Sequence, residues 1–362
     1  MPDVLLDRIN ALRVMLSGRG LEAVIITKPE NIFYLTGFTG SHGSVVVTGK
    51  DIRLITDFRY DQQASLQSPH CKIVIIKENI PDTLCEMARE MNIEHIGCEG
   101  NFLTYHQYTA LKENLQGIEL KPLQELVEEL RTVKDSLEVE SIGNSVKLSD
   151  QAFEYILPML GEGVTERAVA LEIEFFMKKN GAESISFPFI VASGQRSSMP
   201  HGTASEKIIA RGDLVTLDFG AMLGGYNSDI TRTVVIGQGD NKQEEIYSIV
   251  LEAQMAGIKA IKAGIQASEV DRSARGVIEG YGYGQYFGHS TGHGLGLQIH
   301  EHPRLSSRDR TVLKPGMVVT VEPGIYLPGW GGIRIEDTVV VEETGCRILT
   351  SSAKDRLITC GS

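Results

Sequence analysis

The chain has 362 residues, 42% of them hydrophobic, and its 35 Lys and Arg residues against 47 Asp and Glu residues give a net charge of −12. This length predicts about two domains, and the composition excludes a disordered or fibrous chain. The acidic balance, without any Lys/Arg-rich run, disfavours nucleic acid or an anionic membrane as a partner.

The sequence carries no recognisable signal for secretion or membrane insertion. Its N-terminus lacks the basic and apolar regions of a signal peptide, and no stretch approaches the run of about 18 apolar residues that a spanning helix needs. The five cysteines form no C-x-x-C pair, which is typical of reduced thiols rather than a disulfide framework. These features predict a cytoplasmic protein.

The N-terminal third, residues 1–132, is predicted to form an α/β domain with a mixed sheet. Short apolar runs predict strands, and amphipathic segments between them predict helices. A charged segment with a helical pattern, 123–146, places the domain boundary near 132. The predicted strands are 23–26, 44–47, 52–55 and 72–76, and the predicted helices are 81–91 and 105–114.

The remainder, residues 133–362, contains a weak internal repeat, which predicts a duplicated α+β domain. In each copy two helices precede a strand that ends in an acid, and a second acid follows a turn. Glu322 lies 104 residues after Asp218, and Glu336 lies 107 after Asp229. In both copies a threonine stands two residues beyond the second acid. The helices are predicted after Ser149, Thr165, Asn241 and Gln266, with Glu244 in a capping box at the third.

The acids of each copy are placed to meet across a hairpin. A hairpin centred between residues 223 and 224 would pair Asp218 with Asp229, and one centred on Gly329 would pair Glu322 with Glu336. Directly opposed residues share a face with Cβ atoms about 5 Å apart, so these charges repel unless a cation compensates them. The hairpins therefore predict four carboxylates around one divalent-metal centre. The alternative is that the acids are exposed on unrelated strands.

Histidines cluster in the same half of the chain. Four of the nine fall between His289 and His302, among several glycines. Glycine lets the backbone approach a site closely, and beside four patterned acids these histidines predict a site rather than structural roles. The glycines at 292, 294 and 296 do not fit a dinucleotide-binding motif, because no strand–glycine–helix unit contains them.

These motifs resemble those of the pita-bread metallopeptidases, in the proline-specific branch of Xaa-Pro dipeptidase (prolidase) and aminopeptidase P. The resemblance covers essentially the whole chain. It implies an α+β protein with a creatinase/prolidase-like α/β domain over 1–132 and a pita-bread domain over 133–362. Segment 31–38 is similar to part of the creatinase/prolidase N-terminal domain. The motifs that carry it are LDFG at 217–220, SDITRT at 228–233, STGHGLG at 290–296, TVEPG at 320–324 and GIRIED at 332–337.

The resemblance implies two divalent metal ions. Asp218 would chelate one ion, Asp229 and Glu336 would bridge both, and His293 and Glu322 would complete the second ion's shell. Oxygen ligands with one imidazole favour Mn²⁺, with Co²⁺, Fe²⁺ or Zn²⁺ as alternatives. Two ions about 3.5 Å apart can supply a bridging hydroxide that attacks the scissile carbonyl. Glu322 would also carry the proton to the leaving proline nitrogen, which has no hydrogen of its own.

The resemblance also implies substrate contacts. His201 and His300 would contact the scissile carbonyl and its tetrahedral intermediate. His289 would line the proline subsite, Arg334 would support a bridging carboxylate and that subsite, and Tyr326 would help to line it.

The sequence thus predicts a metal-dependent peptidase that cleaves the bond before proline in short peptides, as a homodimer like its relatives. Arg304 favours a dipeptidase, because a prolidase must recognise the free carboxylate after proline and arginine is a bidentate clamp for it. Aminopeptidase P, which leaves that space open for a longer peptide, is the main alternative. A non-catalytic binding protein and a creatinase-type amidinohydrolase are disfavoured by the complete ligand set, and methionine aminopeptidase by the N-terminal domain.

Overall fold

The computed structural model describes residues 2–76 and 79–361, and the chain divides into two units, Met1–Arg131 and Thr132–Ser362. In the first unit, six strands form one mixed sheet in the order β4-β3-β2-β1-β5-β6. The elements of this unit are α1 (Pro2–Gly18), β1 (Ala23–Ile26), α2 (Pro29–Thr36), β2 (Ser44–Thr48), β3 (Ile52–Thr56), α3 (Asp61–Gln67), β4 (Lys72–Ile75), α4 (Ile80–Glu90), β5 (His95–Glu99), α5 (Tyr105–Asn114), β6 (Glu119–Leu123) and α6 (Leu126–Arg131).

The predicted α/β architecture of the first unit is confirmed, with β1 antiparallel to β2 and parallel to β5. Its core lies between the sheet and helices α4 and α5, where Ile25 and Val46 pack with Leu84. Helix α5 has the predicted limits because Thr104 and Gln107 form a capping box at its start. Strands β5 and β6 were missed, since polar residues interrupt their short apolar runs.

Within residues 132–361, the second unit has four α-helices, two in each copy of the repeat, and fourteen strands in four sheets. Its elements are α7 (Ser136–Ile156), α8 (Glu166–Lys179), β7 (Ser184–Ile185), β8 (Ile190–Ser193), β9 (Leu214–Phe219), β10 (Ala221–Leu223), β11 (Tyr226–Asn227), β12 (Ile230–Ile236), α9 (Asn241–Ala260), α10 (Ala267–Gly280), β13 (Gly292–Gly294), β14 (Glu301–Leu305), β15 (Val318–Val321), β16 (Gly324–Leu327), β17 (Gly331–Arg334), β18 (Asp337–Val341), β19 (Cys346–Ile348) and β20 (Ile358–Cys360).

Each copy of the repeat places a helix pair against a sheet, as the sequence predicts. In the first copy α7 and α8 pack on β8, β9 and β12 through an apolar cluster that includes Phe153, Ile173 and Leu217. In the second copy the ends of α9 and α10 pack on β15 and β18, where Val270 meets Val319. The predicted duplicated α+β fold is therefore confirmed.

Two helix starts differ from the prediction. Helix α7 begins at Ser136 rather than after Ser149, because the carboxylate of Asp135 accepts hydrogen bonds from the first free backbone N–H groups. Helix α9 has its capping box between Asp240 and Gln243, so the reciprocal partner is not Glu244. Helix α8 follows Thr165, its predicted cap.

The register of the second hairpin is confirmed, and that of the first is wrong by two residues. Val321 pairs with Asp337, and Gly324 with Arg334, so the second hairpin is centred on Gly329. In the first hairpin, Thr231 rather than Asp229 lies opposite Asp218. The reason is a two-residue turn at 224–225, whose glycines have φ of 59° and 79°, as a tight primed turn requires.

Among residues 2–76 and 79–361, none of the helices has the length and apolar character that crossing a bilayer would require.

Candidate metal centre and substrate cavity

Three carboxylates from both copies of the repeat converge in the second unit. Asp218 lies in β9, Asp229 directly precedes β12, and Glu336 directly precedes β18. A ligand oxygen from each lies within 4.8 Å of the others, and the three residues are buried. Asp229 is a diagonal neighbour of Asp218 on the same face, because it stands two residues from Thr231.

One oxygen of each carboxylate has no hydrogen-bond partner among the described residues. These are Oδ1 of Asp218, Oδ1 of Asp229 and Oε1 of Glu336. A buried carboxylate oxygen is costly without a partner, and three buried carboxylates with ligand oxygens within 4.8 Å of one another are the arrangement that a divalent cation satisfies. The carboxylates therefore fit a metal site on their own geometry.

His293 and Glu322 complete the group of five predicted ligands. The Nε2 atom of His293 lies 3.6 Å from Oδ2 of Asp229 and 3.5 Å from Oε1 of Glu322. Its Nδ1 lies 3.0 Å from the carbonyl oxygen of Gly294, which can only accept, so Nδ1 carries the hydrogen. The lone pair on Nε2 consequently faces the acids, as a metal ligand requires.

The glycines around His293 are needed for close packing. Strand β13 lies between β14 and β15. A Cβ atom at Gly292 would overlap the carbonyl oxygen of Thr320, and one at Gly294 would overlap that of His302. The sequence Gly-His-Gly therefore allows the imidazole to reach the cluster from a strand with neighbours on both sides.

Burial and mutual repulsion disturb the ionisation of the acids. Burial raises the pKa of Glu322 to about 8. Burial, followed by the charges of neighbouring carboxylates, raises the pKa values of Asp229 and Glu336 well above their usual range. The pKa of Asp218 is also raised by burial, but the Arg334 guanidinium, which is hydrogen-bonded to its Oδ2, opposes this shift. Without cations, the cluster thus favours protonated acids.

A cavity of about 450 Å³ opens over the cluster and is lined by all five predicted ligands. The predicted residues His201, His289, His300, Arg304 and Arg334 also line it. Its apolar wall was not predicted, because ordinary apolar residues in loops and short strands give no functional signal in one sequence. That wall includes Phe187, Pro188, Ile190 and Ile299.

Tyr326 does not belong to the described lining of the cavity, but its hydroxyl contacts two residues that do, Arg334 and His289. Its hydroxyl accepts a hydrogen bond from Nη1 of Arg334 at 2.9 Å and lies 2.8 Å from Nε2 of His289. Nδ1 of His289 donates to the carbonyl oxygen of Ser290, so the tyrosine hydroxyl donates to Nε2. Burial lowers the pKa of His289 to about 4, which keeps this imidazole neutral.

His201 and His300 reach the cavity from different copies. His300 has its ring 4.4 Å from that of His293, in an edge-on arrangement. The turn that carries His201 is held by Arg334, whose Nη1 donates to the carbonyl oxygen of Pro200 at 3.2 Å. Both histidines are exposed and can therefore meet a substrate.

Arg304 lies on β14 directly opposite His293 on β13. Opposed residues of antiparallel strands project from the same face, so this guanidinium lies beside the metal-ligand candidates. Its backbone N–H donates to Asp309 at 2.8 Å, which holds the strand end, while the side chain stays exposed.

A supporting pair on α10 was also missed. Arg275 donates to the carbonyl oxygens of Phe287 and His289, both at 2.8 Å, and forms an ion pair with Asp271. Asp271 in turn accepts from the hydroxyl of Thr291 at 2.8 Å. The four-residue spacing of Asp271 and Arg275 on a helix was the available signal.

A duplicated α+β unit with a buried carboxylate and histidine cluster beneath a cavity defines the class of metal-dependent hydrolases. The chain belongs to metallopeptidase family M24, whose model matches residues 140–343. Residues 8–133 match the creatinase/prolidase N-terminal domain.

Relatives of known name match along nearly the whole chain. An Xaa-Pro dipeptidase from Pyrococcus furiosus is 42% identical over 97% of this chain and 99% of its own. The structure of an Xaa-Pro dipeptidase from Bacillus anthracis has a TM-score of 0.96 and 47% identity, covering 98% of this chain and 99% of that one. An X-Pro aminopeptidase from Thermotoga maritima has a TM-score of 0.89 and 38% identity, covering 95% and 99%.

Proposed function

We propose that this chain is a metal-dependent Xaa-Pro dipeptidase acting on short proline-containing peptides. The observation that carries the dipeptidase assignment is Arg304, opposite His293 and at the edge of the cavity. A dipeptide ends in a carboxylate directly after proline, and a guanidinium binds that group through two parallel hydrogen bonds. The names of the relatives from Pyrococcus and Bacillus support the same substrate class.

Two divalent ions would be held by Asp218, Asp229, His293, Glu322 and Glu336, with Mn²⁺ as the expected ion and Co²⁺, Fe²⁺ or Zn²⁺ as alternatives. When bound, such ions polarise the scissile carbonyl and lower the pKa of water at the site. The unpartnered carboxylate oxygens support this assignment.

The histidines and Glu322 would handle the reacting groups. His201 and His300 line the cavity, which supports a role as hydrogen-bond donors to the carbonyl oxygen as negative charge develops there. Oε1 of Glu322 faces Thr320 and His293. Its other oxygen, Oε2, would hold the proton that the departing proline nitrogen needs.

The proline ring would lie between His289 and the apolar wall. Phe187 and Pro188 offer an apolar surface, and His289 is fixed by Tyr326 and neutral. Arg334 donates to both Tyr326 and Asp218, so it couples the position of this subsite to that of a metal-ligand candidate.

The enzyme is further proposed to be a cytoplasmic homodimer with domains 1–132 and 133–362. The free cysteines, of which Cys85, Cys98 and Cys360 are buried, support a reducing compartment. The division of the chain between Arg131 and Thr132 supports the domain limits. Light scattering coupled to size-exclusion chromatography tests the dimer.

The deciding experiment compares Gly-Pro and Ala-Pro dipeptides with Xaa-Pro-Yaa tripeptides on Mn²⁺-loaded protein. We expect a higher kcat/KM on dipeptides. Arg304→Ala should raise KM for dipeptides about 10- to 100-fold, as expected for a lost charged hydrogen bond, and spare Xaa-Pro-Yaa amides, which have no free carboxylate. Arg308→Ala, an exposed arginine outside the described cavity lining, is the matched control.

The opposite pattern identifies the alternatives. Faster cleavage of longer peptides, together with no effect of Arg304→Ala, would establish aminopeptidase P instead. Activity on Met-Ala but not on Xaa-Pro substrates would indicate methionine aminopeptidase. Protein that binds no metal would point to the creatinase-type or non-catalytic alternatives.

A further inference from the structure

Thr231 contacts the acid cluster without being one of its candidate ligands. It is fully buried in β12, directly opposite Asp218. Its Oγ1 lies 2.7 Å from Oε2 of Glu336 and 3.1 Å from Nε of Arg334. A guanidinium N–H can only donate, so the hydroxyl accepts from Arg334, and its single hydrogen is available to the carboxylate of Glu336. When Glu336 is ionised, as a metal ligand must be, the direction of both hydrogen bonds is therefore fixed.

This chain of hydrogen bonds determines which carboxylate oxygens stay free. Thr231 occupies Oε2 of Glu336, and Oε1 has no partner in the described part of the chain. Arg334 occupies Oδ2 of Asp218, and Oδ1 is equally unpartnered. Arg334 thus orients one acid directly and the other through a hydroxyl, and each of these acids keeps one oxygen without a hydrogen bond from the described residues.

The second copy of the repeat contains a comparison within the same molecule. Thr338 stands two residues after Glu336, as Thr231 stands two residues after Asp229, and both threonines are fully buried. The hydroxyl of Thr338 donates to the backbone carbonyl oxygen of Asp229 at 3.0 Å. Each threonine therefore bonds to the acid segment of the other copy, but Thr338 contacts the main chain where Thr231 contacts a carboxylate.

We propose that Thr231 is a positioning residue, whose hydroxyl fixes the rotation of the Glu336 carboxylate relative to Arg334 and thereby sets the cation affinity of the cluster. The proposal rests on the proposed function only in that the cluster binds divalent cations. Partners of metal ligands typically change metal affinity about 10- to 100-fold when removed.

The test measures Mn²⁺ binding to the metal-free full-length protein by titration calorimetry, with a thermal melt of each variant to establish folding. Thr231→Val keeps the shape and removes the hydroxyl, and we expect its Mn²⁺ affinity to fall about 10- to 100-fold. Thr231→Ser retains the hydroxyl and should keep an affinity close to that of the wild type. Thr338→Val removes the equivalent hydroxyl and should lower the melting temperature while leaving the affinity unchanged.

The outcomes separate this proposal from the proposed function. If the wild-type protein and Thr231→Val bind Mn²⁺ with equal affinity, the positioning role of Thr231 is overturned and the proposed function is not. Equal losses in Thr231→Val and Thr338→Val would also overturn the positioning role, because a general packing defect then explains both. Wild-type protein without divalent-ion binding would overturn the proposed function as well. If Thr231→Val does not fold, Thr231→Ala against Thr231→Ser decides the same question.

Discussion

The two copies of the repeat bring their acids together through different strand registers. In the second copy, residues 322 and 336 continue the pairing that is centred on Gly329. In the first copy, Asp218 faces Thr231 and meets Asp229 only diagonally. A shift of two residues keeps a side chain on the same face of a sheet, whereas a shift of one would reverse it. The duplication has therefore preserved the face that carries the acids and not the pairing between them.

The two acid pairs also differ in what compensates their charge. Asp218 has a direct ion pair with Arg334. Glu336 accepts a hydrogen bond from the neutral hydroxyl of Thr231. Burial raises the pKa of Glu336 and the Arg334 charge opposes this rise, although these two described side chains form no ion pair with each other. Glu322 has the hydroxyl of Thr320 at 3.3 Å. The acids of the second copy consequently depend more on bound cations than Asp218 does.

The largest expected effect comes from the residue proposed to bridge both ions. Asp229→Asn should abolish turnover and lower the metal content from nearly two ions per chain, because an amide cannot supply a second anionic oxygen. Elemental analysis and an Xaa-Pro assay measure the two quantities. Asp213→Asn, which alters an acid of the same copy that pairs with Lys207, is the control. Full activity of Asp229→Asn would exclude a two-ion site that depends on both copies.

An intermediate effect is expected from the two histidines, one from each copy. His201→Ala and His300→Ala should retain their metal and lose kcat by about 100-fold or more, as expected for donors to developing charge. His106→Ala, on the exposed side of α5, should leave kcat unchanged. If either variant lost its metal but kept its turnover per bound ion, that histidine would be a metal ligand. The two copies would then differ in their number of ligands as well as in strand register.

The smallest expected effect is a pH dependence of stability in the metal-free protein. The folded-state pKa of Glu322, about 8, lies above its ordinary value of 4.5. The folded state therefore holds a proton that the unfolded state releases, and stability falls as pH rises between these values. We expect the melting temperature to drop by about 5 °C or more across this window, and Mn²⁺ to reverse the drop.

Two variants test whether this pH dependence of stability comes mainly from the second copy of the repeat. Glu322→Gln should flatten the pH dependence more than Asp218→Asn does. Arg334 forms a hydrogen-bonded ion pair with Asp218, whereas burial raises the pKa of Glu322 and Arg334 opposes that rise through its charge alone. A steeper contribution from Asp218 would contradict the difference between the copies.

The sequence predicted the acids because their charge conflicts with apolar surroundings, whereas the histidines were predicted from their clustering and from the family resemblance. Charged residues in or next to apolar strands, such as Asp218 and Glu336, require a partner, and that requirement is visible without coordinates. The register of the first hairpin was not predictable to within two residues, because it depends on φ angles at 224–225. Side-chain composition alone does not reveal those angles.

Residues whose roles depend on contacts between distant segments were harder to predict from the sequence. Tyr326 was expected to line the proline pocket, but its hydroxyl instead joins Arg334 to His289. Phe187 and Pro188 become a cavity wall only when distant segments meet. Thr231 was noticed as part of the repeat, but its bond to Glu336 crosses 105 residues of sequence, which no local pattern encodes.

The hydrogen bonds that join the two copies of the repeat have a consequence for the order of folding. Thr231 and Glu336 are 105 residues apart, and Arg334 and Asp218 are 116 apart. Contacts of such high sequence separation carry a loop-closure cost that is met only once the intervening segments are ordered. Neither copy of the repeat can assemble the cation site alone. Divalent ions therefore stabilise the native state, in which both copies are folded, in preference to partly folded states. We accordingly expect Mn²⁺ added during refolding to bind only after both copies of the repeat have folded.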